Sequence, residues 1–458
     1  MKQGVIITSG LQNWQILQQR GGKADVKAAG WHFVEGLPSG TAVKISARIM
    51  HEFTGEVVKP WVECNVYGVN WSVVMPDVPA GGLYRLETMI DYPGSNGLLV
   101  TRGDMVHHFG VGDIFVIAGQ SNAAGRARDP IFDPPELGVH IMRNSGRWDL
   151  ASHPFNDTTN TVYDGHFETA NPSHCPYLAF GKKMRAELNH PVGLIQSALG
   201  GSGLWQWNKR EEGTLYTNMI RMIKDNTDGI RGILWYQGCA DAFEKHGEDY
   251  FERFRQFVQD VREELDAPAL PFFTVQLNRC TLESDPEKDR HWGMVREAQR
   301  RGAHEIDGVY VIPANDLPIM DFIHNSAPAN LAVGERTARA ALATLYGKPY
   351  AWQAPEADKA ELKSPDTVAL HLSGIVNWIN PFEVPPEQLC FTAEDTEGLA
   401  CVKNYRVEGH TFILTFDRAL SAGVVLHGAW QMNPPFTLPC DCARLPMLSF
   451  YNLPIESA

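Results

Sequence analysis

The stretch VGDIFVIAGQSN (111–122) decides how this chain is read. Its core, DIFVIAG (113–119), is an apolar run of strand length that breaks at Gly119 into the small polar turn Gln120-Ser121-Asn122. A serine standing where a buried strand stops is either a turn residue or a nucleophile. The rest of the chain has to choose between the two. The same rhythm recurs downstream in VGLIQSA (192–198), GILWYQG (232–238), PFFTVQL (271–277) and GVYVIPA (308–314). Helical patterns lie between them at 176–188, 214–226, 250–265 and 291–305, and another follows at 331–346. Apolar runs that do not alternate with polar residues, separated by amphipathic helices, predict a parallel sheet covered on both faces. Residues 111–346 therefore form an α/β domain.

Outward from that segment the pattern changes. The first 110 residues carry short alternating runs, TAVKISARI (41–49) and VECNVYGVNWSVVM (62–75), punctuated by LPSG (37–40) and VPAGG (78–82). They predict a small antiparallel β-sandwich-like domain over 1–110. From 347 to 458 helical periodicity is again absent. TVALHLSG (367–374) and HTFILTF (410–416) read as strands of a C-terminal β domain, and PEADKAELKSPD (355–366) as a linker or a loop within it.

The 458 residues suffice for two or three domains, and 54 acidic against 40 basic residues give a net charge of -14. That balance argues against nucleic acid or an anionic membrane as the main partner. The eight cysteines form no CxxC pair, so a zinc ribbon or a redox motif is not expected. The N-terminus lacks an apolar core of signal-peptide length, and no run reaches the roughly 18 apolar residues of a membrane span. A cytoplasmic location is the expectation.

In an open parallel sheet, ligands bind beyond the carboxyl ends of the strands. The first strand delivers Gln120-Ser121-Asn122, the second Gly200-Gly201-Ser202, the third Gln237-Gly238-Cys239, and the fifth, after a loop, Asp321-Phe322-Ile323-His324. That set is what acyl transfer requires. Ser121 can attack a carbonyl, His324 can carry its proton, and Asp321 can hold the imidazole. The Ser121 N–H, a backbone N–H of the Gly200-Gly201 turn and the Gln237 amide are candidate oxyanion donors. Each piece has a plainer reading as a turn, a cap or a satisfied polar group, but four strand ends supply four different functions to one crevice. The pair His107-His108 precedes the first strand and falls at its wrong end. The hydrolase elbow G-x-S-x-G is absent, because Ala123 replaces its second glycine, and there is no HExxH and no P-loop.

Taken together, GQSN (119–122), PVGLIQSALGGS (191–202), WYQG (235–238), REAQ (296–299) and DFIHN (321–325) resemble the SGNH-hydrolase superfamily. Within it they are most similar to the sialate O-acetylesterase-like carbohydrate esterases. The resemblance implies a flavodoxin-like three-layer α/β/α domain flanked by β domains. It implies hydrolysis of O-acetyl esters on sugars with no metal and no cofactor. It also implies Ser121, His324 and Asp321 as the triad, with Ser121, Gly201 and Gln237 as the oxyanion hole. Two positions depart from the family pattern: Ala123 stands where Met is common, and Cys239 where Glu is common.

The resulting reading is a serine carbohydrate esterase acting on an O-acetylated sugar, in the first instance O-acetylated sialic acid. Gln120, Asn122, Arg126 and Arg296 are the substrate-binding candidates. The two arginines would hold the sialate carboxylate, with Arg128 and Arg143 behind them. An acetylated xylan or other plant glycan is the alternative substrate, with Trp205, Trp207 and Trp292 either stacking on sugar or packing in the core. A non-catalytic glycan-binding protein is the alternative of another class. A lipid esterase would need an aliphatic channel that these loops do not offer.

Overall fold

The structure, a computed structural model, describes residues 3–38, 41–94, 96–169, 172–380, 383–435 and 437–457. The end of the expected turn LPSG falls outside them. The organising element is a single strand of 23 residues, Gly97–Gly119. Its first part pairs antiparallel with Gly81–Gly94, which pairs in turn with Lys44–His51. Its last part runs parallel between Val192–Gln196 and Gly232–Tyr236. Burial follows the same division. Leu98, Leu99 and Val100 are exposed, whereas every residue from Phe109 to Gly119 is buried.

All five expected strands are present. The parallel sheet places Val192–Gln196 beside the end of the long strand, followed by Gly232–Tyr236, Phe272–Val275 and Val309–Ile312. Numbered along the chain, their spatial order is 2-1-3-4-5, so the long strand is where the order reverses. Two short strands the sequence reading did not anticipate, Val139–Met142 and Trp148–Leu150, extend the far edge. They have four and three residues, too few for a periodic signal.

The five expected helices are Tyr177–Leu188, Thr214–Asn226, Tyr250–Glu264, Pro286–Glu305 and Ala327–Tyr346. The last two start earlier than their apolar periodicity because their caps lie upstream. The Asp285 carboxylate accepts from Glu287 N and Lys288 N, and Ser326 Oγ accepts from Ala329 N. Tyr177–Leu188 packs on Ala327–Tyr346, and Tyr250–Glu264 on Pro286–Glu305.

In the N-terminal segment two sheets enclose Val5, Val26, Ile45, Trp71 and Leu86. At the C-terminus seven strands close a barrel. The stretch 355–366, expected as a linker or loop, supplies its first strand, Glu356–Ser364, paired with Thr367–Ser373. A register shift between Ala357 and Lys359 breaks the alternation there, which hides the strand from a period-two reading.

Arg296 corrects an expectation. It is fully buried in Pro286–Glu305 and cannot reach a sugar in the crevice. Its guanidinium donates to the carbonyls of Leu277, Asn278, Ala429, Trp430 and Gln431 and to Asn315 Oδ1. Burial pulls its pKa down to about 9. A guanidinium has five N–H donors in a fixed fork, which suits it to gather carbonyls from two units. Arg296 thus ties the helix and the end of the fourth strand to the barrel.

A second buried network pins the loops around the sheet edge. Asp133 Oδ2 accepts from His153 Nε2 at 3.0 Å and His174 Nε2 at 3.1 Å, and Asp133 Oδ1 accepts from Lys182 Nζ at 2.7 Å. Burial alone would raise the Asp133 carboxyl, but these three donors outweigh it and hold it well below the usual carboxylate range. A depressed folded-state pKa stabilises above the unfolded value, near 4, and the gain disappears as pH falls through the folded value.

Two stability predictions follow from these networks. Arg296→Met leaves several buried carbonyls unpaired and should cost about 3 kcal/mol or more, read by thermal or denaturant unfolding. Asp133→Asn should cost about 1–3 kcal/mol at pH 7. Unfolding measured across pH should show its deficit against wild type shrinking below about pH 4.

Candidate active site

The strand must stop at Gly119 for a steric reason. Its φ is +125°, and a Cβ there would lie 2.3 Å from the Tyr236 carbonyl oxygen of the adjacent strand. Only glycine fits that approach. The next residue, Gln120, donates its N–H to the same oxygen at 2.9 Å, and its own carbonyl accepts from Ala123 and Ala124. The chain thus turns into the one-turn helix Ser121–Ala124. Ser121 stands at its start, on the wall of a cavity of about 730 Å³ that His324 and Gly201 also line.

Ser121 Oγ lies 2.9 Å from His324 Nε2, and His324 Nδ1 lies 2.7 Å from Asp321 Oδ2. A carboxylate only accepts, so Nδ1 carries the proton and Nε2 is left to accept from the serine hydroxyl. Asp321 Oδ1 also accepts the N–H groups of Ile323 at 2.9 Å and His324 at 2.8 Å. Partial burial would raise the Asp321 carboxyl, but these donors win and hold it below its ordinary value. The carboxylate therefore stays ionised beside the imidazole. Asn122, expected to touch substrate, has another task. Its Nδ2 donates to Ile323 O and its Oδ1 accepts from Asn325 N, which ties the serine turn to the histidine loop.

The Gly200-Gly201 turn lines the same cavity, with Gly201 at φ +68°. Among the described residues, no protein acceptor engages the N–H of Ser121 or of Gly201. Gln237 does not join them. It is fully buried, with Nε2 donating to Ser202 O at 3.2 Å and Asp241 Oδ2 at 2.6 Å, and Oε1 accepting from Tyr250. Both ends of its amide are engaged, and Nε2 ties the second strand-end loop to the third. Gln120 is the glutamine that lines the cavity. Its Oε1 accepts from Gly238 N at 3.1 Å and Ala240 N at 3.3 Å, and among the described residues its NH₂ has no partner.

Arg126 lines the cavity, but its guanidinium pairs with Glu168 and donates to Gly125 O at 2.7 Å. Arg143 is spent on Asp149, and Arg128 does not reach the cavity. Trp207 and Trp292 are core residues whose indoles donate to Ser202 Oγ and Asn278 O. Trp205 packs edge-on against His246. The aromatic rings at the cavity are Phe167, Phe243 and Phe322, which sequence reasoning passed over. Phe322 stood in plain view inside DFIHN, whereas Phe167 and Glu168 belong to a stretch with no strand or helix to place them. Cys239 also lines the cavity, but burial pushes its thiol far up, so it stays protonated and is no competing nucleophile. The Asp133, His153 and His174 group is the cluster with metal-ligand spacing among the described residues. Lys182 already supplies the cation on that carboxylate.

Residues 111–343 match the model of a family described as carbohydrate esterase, sialic acid-specific acetylesterase. Among solved structures, a carbohydrate acetylesterase from Xanthomonas citri is similar over 97% of this chain and 99% of its own, at 20% identity and a TM-score of 0.68. A protein from Arabidopsis thaliana is 24% identical over 51% of this chain and 98% of its own, with a TM-score of 0.43. No curated protein matches the chain in sequence. The family match spans the sheet, the serine turn and the histidine loop together, and on that ground the chain belongs to the sialic acid-specific acetylesterase family of carbohydrate esterases and is a carboxylic ester hydrolase.

Proposed function

We propose that the protein removes acetyl groups from sugar hydroxyls through a Ser121–His324–Asp321 triad. The observation that carries this reading is the continuous line of hydrogen bonds from Ser121 Oγ through the His324 ring to Asp321. His324 Nε2 takes the hydroxyl proton as Ser121 Oγ bonds to the acetyl carbonyl carbon. The oxyanion that forms is received by the N–H groups of Ser121 and Gly201, with the Gln120 NH₂ in the part expected of Gln237. His324 then returns the proton to the sugar oxygen as that C–O bond breaks. A water, deprotonated by the same nitrogen, attacks the acetyl-enzyme and releases acetate and the serine hydroxyl. The strand order 2-1-3-4-5, with the serine at the end of the first strand, supports an SGNH-type three-layer domain over 111–346. Segments 1–110 and 347–458 are then its flanking β domains.

Of the two substrate classes open from the sequence, the cavity favours a neutral sugar. The basis for holding a sialate carboxylate was Arg126 and Arg296. The first is neutralised by Glu168 and the second is buried elsewhere. Among the described residues lining the cavity, the charged group besides that pair is Glu244, which would repel a carboxylate. Phe167 and Phe322, 59% and 46% exposed, offer ring faces to the apolar side of a pyranose.

Ser121→Ala should lower kcat for acetate release from a short-chain acetyl ester by about 10⁴-fold or more, and Asp321→Asn by about 10³–10⁴-fold. A fluorophosphonate should label wild type at Ser121 and leave Ser121→Ala unlabelled. Equal rates for wild type and Ser121→Ala would return the serine to a turn role. With purified wild type, kcat/KM on acetylated xylan should exceed that on acetylated sialic acid by about tenfold, about 1.4 kcal/mol in the transition state. The opposite ranking would restore a cation-bound carboxylate substrate.

A further inference from the structure

We propose that Glu168 is the positioning residue of the oxyanion site, fixing the turn that aims the Gly201 N–H at the reacting carbonyl. The inference rests on the reading of Ser121 as nucleophile and goes beyond the triad.

Glu168 lies on the loop between the edge strand Trp148–Leu150 and the helix Tyr177–Leu188, yet its side chain is only 11% exposed. Its Oε2 accepts the Gly200 N–H at 2.9 Å. Its Oε1 accepts from both Arg126 Nη2 and Asn156 Nδ2. Its own backbone is clamped from both sides by Thr158 Oγ1, at 3.1 Å to Glu168 N and 3.1 Å to Glu168 O. Arg126 in turn donates to Gly125 O, on the loop that follows the serine helix. One carboxylate therefore joins the loop after the first strand to the turn after the second.

The turn needs such a tie. Two successive glycines have the widest conformational choice of any dipeptide, and a donor contributes to catalysis only when its direction is set beforehand. A Cβ on Gly201 would meet nothing within 4 Å among the described residues, so no neighbour fills that side of the turn. Gly200 is different: a Cβ there would lie 2.2 Å from Glu168 Oε2 and 2.6 Å from Arg126 Nη2. The carboxylate occupies the place a side chain would take and holds the turn by its N–H. Arg126 offsets the electrostatic cost of this arrangement, because a bare carboxylate next to a developing oxyanion would oppose it.

The test uses the full chain with three variants and an active-site titration. Glu168→Ala should lower kcat by about 100-fold at nearly constant KM, because the oxyanion exists only in the transition state. The rate of fluorophosphonate labelling should fall with it, while the fraction of sites finally labelled stays near that of wild type. Glu168→Gln keeps an oxygen for the Gly200 N–H and should recover part of the rate. Glu168→Asp keeps the charge for Arg126 but withdraws the oxygen by one methylene, and should fall below Gln. A kcat within about threefold of wild type in folded Glu168→Ala would overturn the proposal. So would a loss explained entirely by a lower labelled fraction. If Glu168→Ala does not fold, the order of the other two decides, and Asp above Gln overturns the proposal. Should Ser121→Ala retain activity, the nucleophile reading fails first. A dead Ser121→Ala beside a fully active Glu168→Ala removes only this inference.

Discussion

The close approach of Gly119 to the Tyr236 carbonyl is the constraint on which the site depends. The parallel ladder between the first and third strands runs up to this pair, and there the chain must leave the sheet without room for a side chain. The Gln120 N–H takes the Tyr236 oxygen, the Gln120 carbonyl starts the short helix, and the serine emerges at the first helical position with an N–H that no carbonyl among the described residues claims. The helix-start geometry that frees the N–H also orients Asn122 toward the histidine loop. The Ser121 hydroxyl, its N–H and the tie from Asn122 to the His324 loop therefore all originate in one local turn.

What could be read in the sequence was what is local. Five apolar runs ended in polar residues, and the D-x-x-H spacing allows Asp321 to cap the His324 backbone and hold its ring at once. Partner choice among buried polar groups could not be read. Gln237 and Arg296 stand at strand ends or on the helix near the crevice, as functional residues would, but each faces carbonyls that burial obliges it to satisfy. Gln120 and Gln237 are alike in sequence context. Their partners in space separate them: Gly238 N and Ala240 N hold Gln120 at the cavity, whereas Ser202, Asp241 and Tyr250 lock Gln237 behind it. Glu168 and Phe167 lie in a loop where no periodicity constrains them.

The charge of the cavity illustrates a related point. A net charge of -14 describes the chain but not the site, where an arginine and a glutamate cancel within one hydrogen bond. Whether an arginine near a motif is a ligand-holding cation or a strut depends on the carboxylate it meets in space. For Arg126 that carboxylate lies 42 residues away in sequence.

The long strand Gly97–Gly119 has a consequence for how the chain is made. Its first part finds its partner, Gly81–Gly94, in residues already synthesised, whereas its last part pairs with strands that begin at Val192 and Gly232. During synthesis the N-terminal strands can pair while the run Ile114–Ala118 still projects from them, apolar on both faces and unpaired on both edges. A flat, hydrophobic, edge-exposed strand is a template for pairing with other chains. The interval of more than seventy residues before Val192–Gln196 arrives to pair with that run is therefore a window of exposure to aggregation.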